Sequence, residues 1–242
     1  MMEFNRFLDR KDAERAARTL RKVAACDISR WALTGGLAVE IHLLQHGRES
    51  GGRRLRDMDF VAADFEDIPA SLGSEVLFRH VHPYDEPAKT MLQCVDEETA
   101  LRVDLVRGYG QEMKRVVPIQ LEGIWLNMIS VEDVEAAHAR VAWGMVQGKK
   151  VAPQHARDFL RLLPLVTAEE MDEIWQEHRK PECPVSFSET VAELNKVIAE
   201  RTDLLVPRVY SQDVNAVCAR CQGSEKFKLA DASRVFAILG YC

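Results

Sequence analysis

The chain has 242 residues, of which 47% are hydrophobic and 29% are charged, and its formal net charge is −6. This composition is typical of an ordinary folded protein with one large domain or two small ones. The negative net charge argues against broad binding of nucleic acid, although a local basic patch for RNA stays compatible with it. No apolar run approaches the ~18 residues of a membrane span and the N-terminus lacks the apolar core of a signal peptide, so we expect a cytoplasmic protein without membrane contact.

The first half of the chain mixes strand and helix patterns. Apolar or alternating runs bounded by turn residues predict strands, and Ala- and Leu-rich stretches with helical spacing predict helices. The predicted elements are a helix over 9–25, a strand over 31–34, a helix over 37–46, a strand over 57–63, an interrupted helix over 65–74, strands over 75–81, 90–95 and 101–106, and a hairpin of 116–121 with 124–129.

The second half of the chain changes to helical patterns. Ser130, Thr167 and Ser186 each precede an acidic residue by three positions, which is a typical helix start. The predicted helices cover 134–146, 153–163, 167–178 and 188–200. We therefore predict the α/β (α+β) class: a mixed sheet with flanking helices over 1–129, followed by a helical C-terminal domain over 130–242.

Two carboxylates open the predicted strand at 57–63. Asp57 and Asp59 are two residues apart, and residues at this spacing on a strand project from the same face. Adjacent carboxylates repel each other and are costly to bury without a cation. Oxygen ligands suit Mg²⁺ or Mn²⁺, so the pair predicts a divalent metal site.

A glycine turn and a cationic loop precede these carboxylates. Gly35 and Gly36 lead into the predicted helix at 37–46, where backbone N–H groups can bind phosphate without obstruction by a Cβ atom. Arginines favour polyphosphate over a neutral ligand. The loop before the carboxylates contains four of them: Arg48, Arg53, Arg54 and Arg56.

The strand, Gly-Gly turn, helix, arginine loop and Asp-x-Asp pair, in this order, resemble the nucleotidyltransferase superfamily of DNA polymerase β-like folds. The segments GGLAVEIH and RRLRDMDFV look most like AbiEii-type toxins and small antibiotic nucleotidyltransferases. The superfamily expects a third carboxylate on a nearby strand, and Asp104 in ALRVDLVR matches it. The alternative for Asp104 is an edge-strand carboxylate paired with Arg102 or Arg107.

The resemblance implies transfer of a nucleoside monophosphate from an NTP to an acceptor hydroxyl, with release of pyrophosphate. The catalytic, metal-binding residues would be Asp57, Asp59 and Asp104. The first two would hold the metal that bridges the triphosphate oxygens, and Asp104 would complete a second metal site and help to deprotonate or orient the acceptor hydroxyl. The triphosphate would be bound by four residues: Gly35, Gly36, Arg53 and Arg54. The acceptor stays open between RNA, a protein and a small hydroxylated molecule.

The helical half departs from the resemblance at one position. Relatives of the AbiEii type carry a lysine and then a basic residue with an Asp near the site; here His138 stands at the lysine position, and Arg157-Asp158 resembles the second element. A neutral imidazole binds triphosphate less strongly than lysine does. Lys149 or Lys150 could take its place. The departure also fits a catalytically weak nucleotide-binding protein, such as a regulator or a toxin–antitoxin component.

Four cysteines in the last third are a further candidate site. Cys218 and Cys221 form a C-x-x-C pair, and Cys183 and Cys242 stand apart from it. Four thiolates can close a tetrahedral Zn²⁺ site, which predicts a zinc lobe and, as an alternative function, a zinc-containing nucleic-acid-binding module. Free thiols or a redox pair remain the alternative.

Overall fold

The computed structural model describes residues 2–69, 71–83, 90–108 and 110–207. The strands within these ranges are β1 (Trp31–Thr34), β2 (Asp57–Ala62), β3 (Leu77–Pro83), β4 (Thr90–Asp96), β5 (Leu101–Arg107), β6 (Val117–Leu121) and β7 (Ile124–Met128). The helices are α1 (Arg10–Val23), α2 (Gly35–Gln45), α3 (Leu72–Glu75), α4 (Val131–Ala142), α5 (Pro153–Leu162), α6 (Ala168–His178) and α7 (Phe187–Glu200).

The seven strands form one mixed sheet in the order β3-β4-β5-β2-β1-β7-β6. Strand β1 runs antiparallel to β2 and parallel to β7, and β2 runs parallel to β5. The hairpins β4–β5 and β6–β7 are antiparallel, as their short acidic and Glu-Gly turns predict. The predicted mixed sheet with flanking helices is therefore confirmed.

Helix α2 connects the sheet to the helical half of the chain. Its residues from Leu37 to Leu43 are buried, because α2 contacts β2 on one side and α4 and α5 on the other. A helix that is apolar nearly all round is expected in such a position. Two polar side chains interrupt the apolar run, Glu40 and His42, and both are buried.

The helical half has a core of its own. It is centred on Trp175 and Phe187, whose rings meet edge to face with centroids 5.7 Å apart. The three predicted helix starts are confirmed, since the side chains of Ser130, Thr167 and Ser186 each accept a hydrogen bond from the backbone N–H three residues on. The division into domains 1–129 and 130–242 stays a prediction.

Several element boundaries differ from the sequence prediction by a few residues, as for α4, which covers Val131–Ala142 where 134–146 was predicted. Two differences change the local structure. Helix α2 begins at Gly35, so the glycines form its first turn and do not precede it. The predicted interrupted helix at 65–74 consists of a single 3₁₀ turn, Phe65–Asp67, and the four-residue α3. Within the described residues, no helix combines the length and apolar character needed to cross a membrane.

Candidate functional site

Four charged side chains lie together on one face of strands β2 and β5, two from each strand. In this parallel pair Asp57 lies beside Arg102, and Asp59 lies beside Asp104. The carboxylate oxygens of Asp57, Asp59 and Asp104 approach within 4.8 Å of one another. The sequence prediction that Asp104 joins the Asp-x-Asp pair thus agrees with the geometry of the sheet. Since β5 lies between β4 and β2, the alternative of an edge-strand position for Asp104 is wrong.

Arg102 contacts two of the three carboxylates. Its Nη2 donates a short hydrogen bond to Oδ2 of Asp57, and its Nε lies 3.1 Å from Oδ2 of Asp104. The ion pair that sequence analysis considered as an alternative for Asp104 therefore exists inside the site. A guanidinium keeps its charge at any ordinary pH, so it partly neutralises the cluster.

The carboxylates still lack positive charge. Burial raises the pKa of Asp59 well above its usual range, and the charges of Asp57 and Asp104 add to this effect. Burial also raises the pKa of Asp104 to about 7, against the opposing charge of Arg102. One guanidinium is thus insufficient to keep three neighbouring carboxylates ionised as readily as they are in water.

The donor set fits a divalent cation. Asp104 is 4% exposed, and its Oδ1 is buried without a hydrogen-bond partner among the described residues. An orphaned carboxylate oxygen beside two further carboxylates is the arrangement that Mg²⁺ or Mn²⁺ would complete. The residues that would hold the ion are Asp57, Asp59 and Asp104.

The Gly-Gly turn lies directly against the carboxylates. Gly35 has a φ of +64°, and a Cβ atom at this position would lie 2.1 Å from Oδ2 of Asp59. Only glycine combines this backbone conformation with so close an approach. Thr34, the residue at the helix N-cap, makes no side-chain hydrogen bond to the first turn of α2, which leaves those backbone N–H groups to a ligand.

Arg53 lies over the second glycine of the turn. A Cβ atom at Gly36 would be 2.2 Å from Nη1 of Arg53. The other two nitrogens of the guanidinium bind buried carboxylates: Nε donates to Glu40 at 3.0 Å, and Nη2 donates to Asp158. Neither ion pair uses Nη1, the nitrogen that lies against Gly36. The predicted phosphate-binding arginine is therefore held in one orientation by two acidic side chains.

Glu40 binds Arg53 and several further groups at once. Its fully buried carboxylate accepts a bidentate pair of hydrogen bonds from Arg161, at 2.7 and 2.9 Å, and further bonds from Ser50 Oγ and the N–H of Gly51. Burial alone would raise the pKa of Glu40, but the hydrogen bonds from Arg161, Gly51 and Arg53 lower it to about 2. Glu40 thereby fixes the arginine loop to α2 and α5.

Arg54 occupies a different environment from Arg53. Its side chain is exposed, and with Arg53 it lines a groove of about 460 Å³ between the loop and the N-terminal residues, Asn5 to Asp9. The structure thus separates the two predicted phosphate-binding arginines into one that is fixed at the glycine turn and one that faces solvent.

The positions compared with the lysine and the basic-Asp element of the resemblance lie on α4, on α5 and in the segment between them. His138 is buried on α4, and burial lowers its pKa to about 4 despite the nearby charge of Asp158, so its imidazole is neutral near pH 7. Lys149 and Lys150 are both exposed. Arg157 lies 3.7 Å from Asp158, but Asp158 is mainly bound to Arg53. In the Arg157-Asp158 element it is therefore the carboxylate of Asp158 that contacts the site, through its ion pair with Arg53.

The zinc prediction falls mostly on residues that the structure does not describe. Cys218, Cys221 and Cys242 lie outside the described ranges. Cys183 is a buried free thiol, and burial raises its pKa. The four-cysteine site stays a prediction.

A second cluster with metal-like composition is an ion-pair network. Glu112, Asp133 and His178 present oxygens and a nitrogen within 4.8 Å of one another. Arg115 binds both oxygens of Asp133, at 2.9 and 2.7 Å, and His178 lies 2.8 Å from the same carboxylate. Burial alone would raise the pKa of Asp133, but the hydrogen bonds from Arg115 and His178 lower it. This cluster already has its cation and needs no metal.

The roles of Glu40 and Arg161 were not predicted from the sequence, and Arg102 was named only as a pairing partner of Asp104. The sequence does contain a signal for Glu40, because a single Glu in the apolar segment of α2 needs a polar partner when it is buried. Arg161 lies 121 residues further along the chain, and no local pattern links the two.

Comparisons with known proteins add similarity at the level of structure only. No protein-family model matches the chain, and no curated protein is significantly similar to it. Among solved structures, the chain is similar to an antigenic nucleotidyltransferase-like protein from Paracoccidioides brasiliensis, with 18% identity, a TM-score of 0.43 and coverage of 78% of this chain and 89% of that one. It is also similar to the antibiotic-resistance factor ANT(2'')-Ia, with 13% identity, a TM-score of 0.45 and coverage of 77% and 98%. Similarity at this level does not define an activity.

Proposed function

We propose that the protein is a metal-dependent nucleotidyltransferase that moves a nucleoside monophosphate from an NTP to an acceptor hydroxyl. One observation carries the proposal: three carboxylates lie within 4.8 Å of one another, directly against a glycine turn over which an arginine is fixed. A metal site next to a phosphate site is what a nucleoside triphosphate requires.

The reaction forms one bond and breaks another. The acceptor oxygen attacks the α-phosphorus, the bond from that phosphorus to the bridging oxygen of the β-phosphate breaks, and pyrophosphate leaves with that oxygen. Asp104 orients the hydroxyl and takes up its proton, a role that suits a carboxylate next to the reacting group. Mg²⁺ or Mn²⁺ held by the carboxylate triad of Asp57, Asp59 and Asp104 would neutralise charge on the phosphates.

The glycine turn and Arg53 bind the phosphates that leave. In the first turn of α2, Gly36 lies against Nη1 of Arg53 and Gly35 lies against Asp59. Preorganised donors of this kind stabilise charge that develops on a leaving pyrophosphate. The exposed Arg54 adds a further contact from the groove that it lines.

A second candidate function is favoured by His138. Its buried, neutral imidazole stands where the resemblance implies a lysine, so the site would bind triphosphate with one positive charge fewer. A protein that binds nucleotide and transfers it slowly, such as a regulator or a toxin–antitoxin component, fits this feature. The complete carboxylate triad favours the enzyme over this alternative.

The test is transfer of α-phosphate label from each of the four NTPs to RNA, to protein and to small hydroxylated acceptors. We expect label transfer with Mg²⁺ or Mn²⁺ in the wild type and none in Asp57→Asn/Asp59→Asn. A matched control is Asp64→Asn, which removes a carboxylate just beyond β2 that is ion-paired with Arg107. Metal-independent transfer, or transfer that survives the double substitution, would contradict the proposal.

A further inference from the structure

A second groove lies beside the groove that Arg53 and Arg54 line. This outer groove has a volume of about 600 Å³ and is lined chiefly by the arginine loop on one side and by α5 with the residues that follow it on the other. The inner and the outer groove share Gly51 and Gly52, which have no side chains to separate them. A molecule in the outer groove therefore adjoins the groove proposed for the phosphates of the NTP.

The outer groove carries exposed positive charge. Arg48 is exposed and has no ion-pair partner within the part of the chain that the structure describes. Arg157 is 56% exposed, and its Nε lies 3.7 Å from Asp158, whose carboxylate is bound more closely by Arg53. Arg161 also lines the groove, but its guanidinium is bound to a buried carboxylate. In a chain with a net charge of −6, two arginines such as Arg48 and Arg157 in one groove indicate an anionic ligand.

The outer groove also has an apolar wall. Leu160 is 43% exposed, and it lines the groove together with Leu43 and Pro164. An inorganic anion makes no use of such a wall, whereas a nucleotide unit joins an anionic phosphate to a base. The flat faces of the base pack on apolar side chains and on guanidinium planes. Glu49, the acidic residue of the lining, can accept a hydrogen bond from a sugar hydroxyl or a base amino group.

We propose that the outer groove binds a single-stranded nucleic acid, and that this strand is the acceptor of the nucleotidyl transfer. Its phosphates contact Arg48 and Arg157, its bases pack on Leu160, and its terminal hydroxyl reaches the inner groove across the two glycines. The oxygen of that hydroxyl forms the new bond to the α-phosphorus, its proton passes to Asp104, and pyrophosphate leaves, so the strand grows by one nucleotide. The role as acceptor rests on the proposed function, but binding of the strand does not.

The opposing account assigns the outer groove to an acidic segment of a partner protein. Carboxylates also complement arginines, but an acidic segment has no bases to pack on Leu160. The two accounts therefore differ in two measurable respects: whether a polyanion without bases binds as tightly as a nucleic acid, and whether the exposed leucine contributes to the affinity. A small cationic acceptor is disfavoured in both, because the same arginines repel it.

The experiment measures binding of fluorescently labelled single-stranded RNA, and of DNA with the same sequence, to the full-length protein by anisotropy at several salt concentrations. We expect at least one strand to bind, which then identifies its sugar. Arg48→Gln/Arg157→Gln should lower the affinity about tenfold or more. The slope of log K against log salt should shrink by about 1.4, which is about 0.7 for each lost phosphate contact.

Two further variants separate charge from base contact. Arg18→Gln/Arg30→Gln removes the same charge from exposed arginines that line neither groove, and it should leave the affinity nearly unchanged. Leu160→Ser should lower the affinity without changing the salt slope, because it removes an apolar contact and no charge. Poly-L-glutamate, which has charge but no bases, should bind more weakly than the nucleic acid.

Four results would overturn the inference. They are no binding of either strand, equal losses in the two double variants, binding of poly-L-glutamate as tight as that of the nucleic acid, and a loss of NTP affinity in Arg48→Gln/Arg157→Gln as large as the loss of strand affinity. The last would assign the two arginines to the triphosphate. Circular dichroism and thermal melting report whether each variant is folded. Metal-dependent NTP binding by the wild type is measured separately, so failure of the strand to bind leaves the proposed function standing, and failure of the NTP to bind contradicts it.

Discussion

Nη1 of Arg53 lies 2.2 Å from the point where a Cβ atom would stand on Gly36. The guanidinium therefore lies against the first turn of α2, at a distance that a side chain at position 36 would not permit. Two buried carboxylates, Glu40 and Asp158, hold the arginine there from behind. A cation fixed over a helix N-terminus that has no side-chain cap is well placed to bind phosphate.

Gly36→Ala tests this contact. The added methyl group must displace Arg53, while the backbone of Gly36 has no positive φ and tolerates alanine. We expect the affinity for a metal–NTP complex to fall about tenfold or more, as for loss of one charge-assisted hydrogen bond. The melting temperature should fall as well, because the displaced Arg53 weakens its ion pairs with Glu40 and Asp158. Calorimetric titration gives the affinity, and Gly144→Ala, at a glycine near Val151, is the control. Unchanged affinity in Gly36→Ala would show that the position of Arg53 is irrelevant to binding.

Glu40→Gln tests how far the ion pairs of Glu40 with Arg53 and Arg161 stabilise the fold. The substitution leaves Arg53 and Arg161 without their shared carboxylate in a buried setting, which typically costs about 3 kcal/mol or more of unfolding free energy. Urea unfolding measures this loss. A double-mutant cycle with Arg161→Met should give a coupling energy of about 1 kcal/mol or more, because the two side chains form a bidentate pair. Additive effects would show that the pair is not coupled.

The pH dependence of stability should include a contribution from Glu40. Its pKa falls from its ordinary value of 4.5 in the unfolded chain to about 2 in the folded one. A depressed carboxylate pKa stabilises the folded state above the unfolded pKa, and this stabilisation is lost as the pH falls from about 5 to about 2. Unfolding free energies measured over this range should fall less steeply in Glu40→Gln than in the wild type. Parallel pH profiles would exclude the contribution.

Glu135→Met should stabilise the protein near neutral pH. Both oxygens of Glu135 are buried without hydrogen-bond partners among the described residues, and burial raises its pKa well above its usual range. A raised carboxylate pKa means that stability is fully present below the unfolded pKa of about 4.5 and is lost as the pH rises. We expect a gain of about 1–3 kcal/mol at pH 8.

Urea unfolding at pH 5 and pH 8 checks the effect of Glu135→Met. The gain should be larger at pH 8 than at pH 5, because the cost of keeping Glu135 protonated grows with pH. Glu132→Met, at a half-buried position in the same helix, is the control. A loss of stability at pH 8 would indicate that Glu135 has a favourable partner.

The local parts of the site could be predicted from the sequence. Strand β1, the helix that begins at the glycines and the common face of Asp57 and Asp59 depend on neighbouring residues and on the two-residue period of a strand. The helix starts at Ser130, Thr167 and Ser186 were predictable for the same reason, since a cap and its partner are three residues apart.

The remaining parts depend on pairing between distant segments. The approach of Asp104 to Asp59 requires the parallel pairing of β2 with β5, and sequence alone does not fix which strands are neighbours. The resemblance supplied that expectation. The bond of Glu40 to Arg161 joins residues 121 positions apart and was not predictable. The exact start of α2 at Gly35 was missed because two glycines normally favour a turn over a helix.

The most direct test of the central claim is a calorimetric titration of each NTP into the protein, with and without Mg²⁺ or Mn²⁺. The account predicts that at least one NTP binds in the presence of the metal, and that this binding is lost in Asp57→Asn/Asp59→Asn while the melting temperature of the free protein does not fall. Binding of equal strength in the double variant, or in the absence of metal, would contradict the assignment of the triad as the metal site of a nucleotidyltransferase.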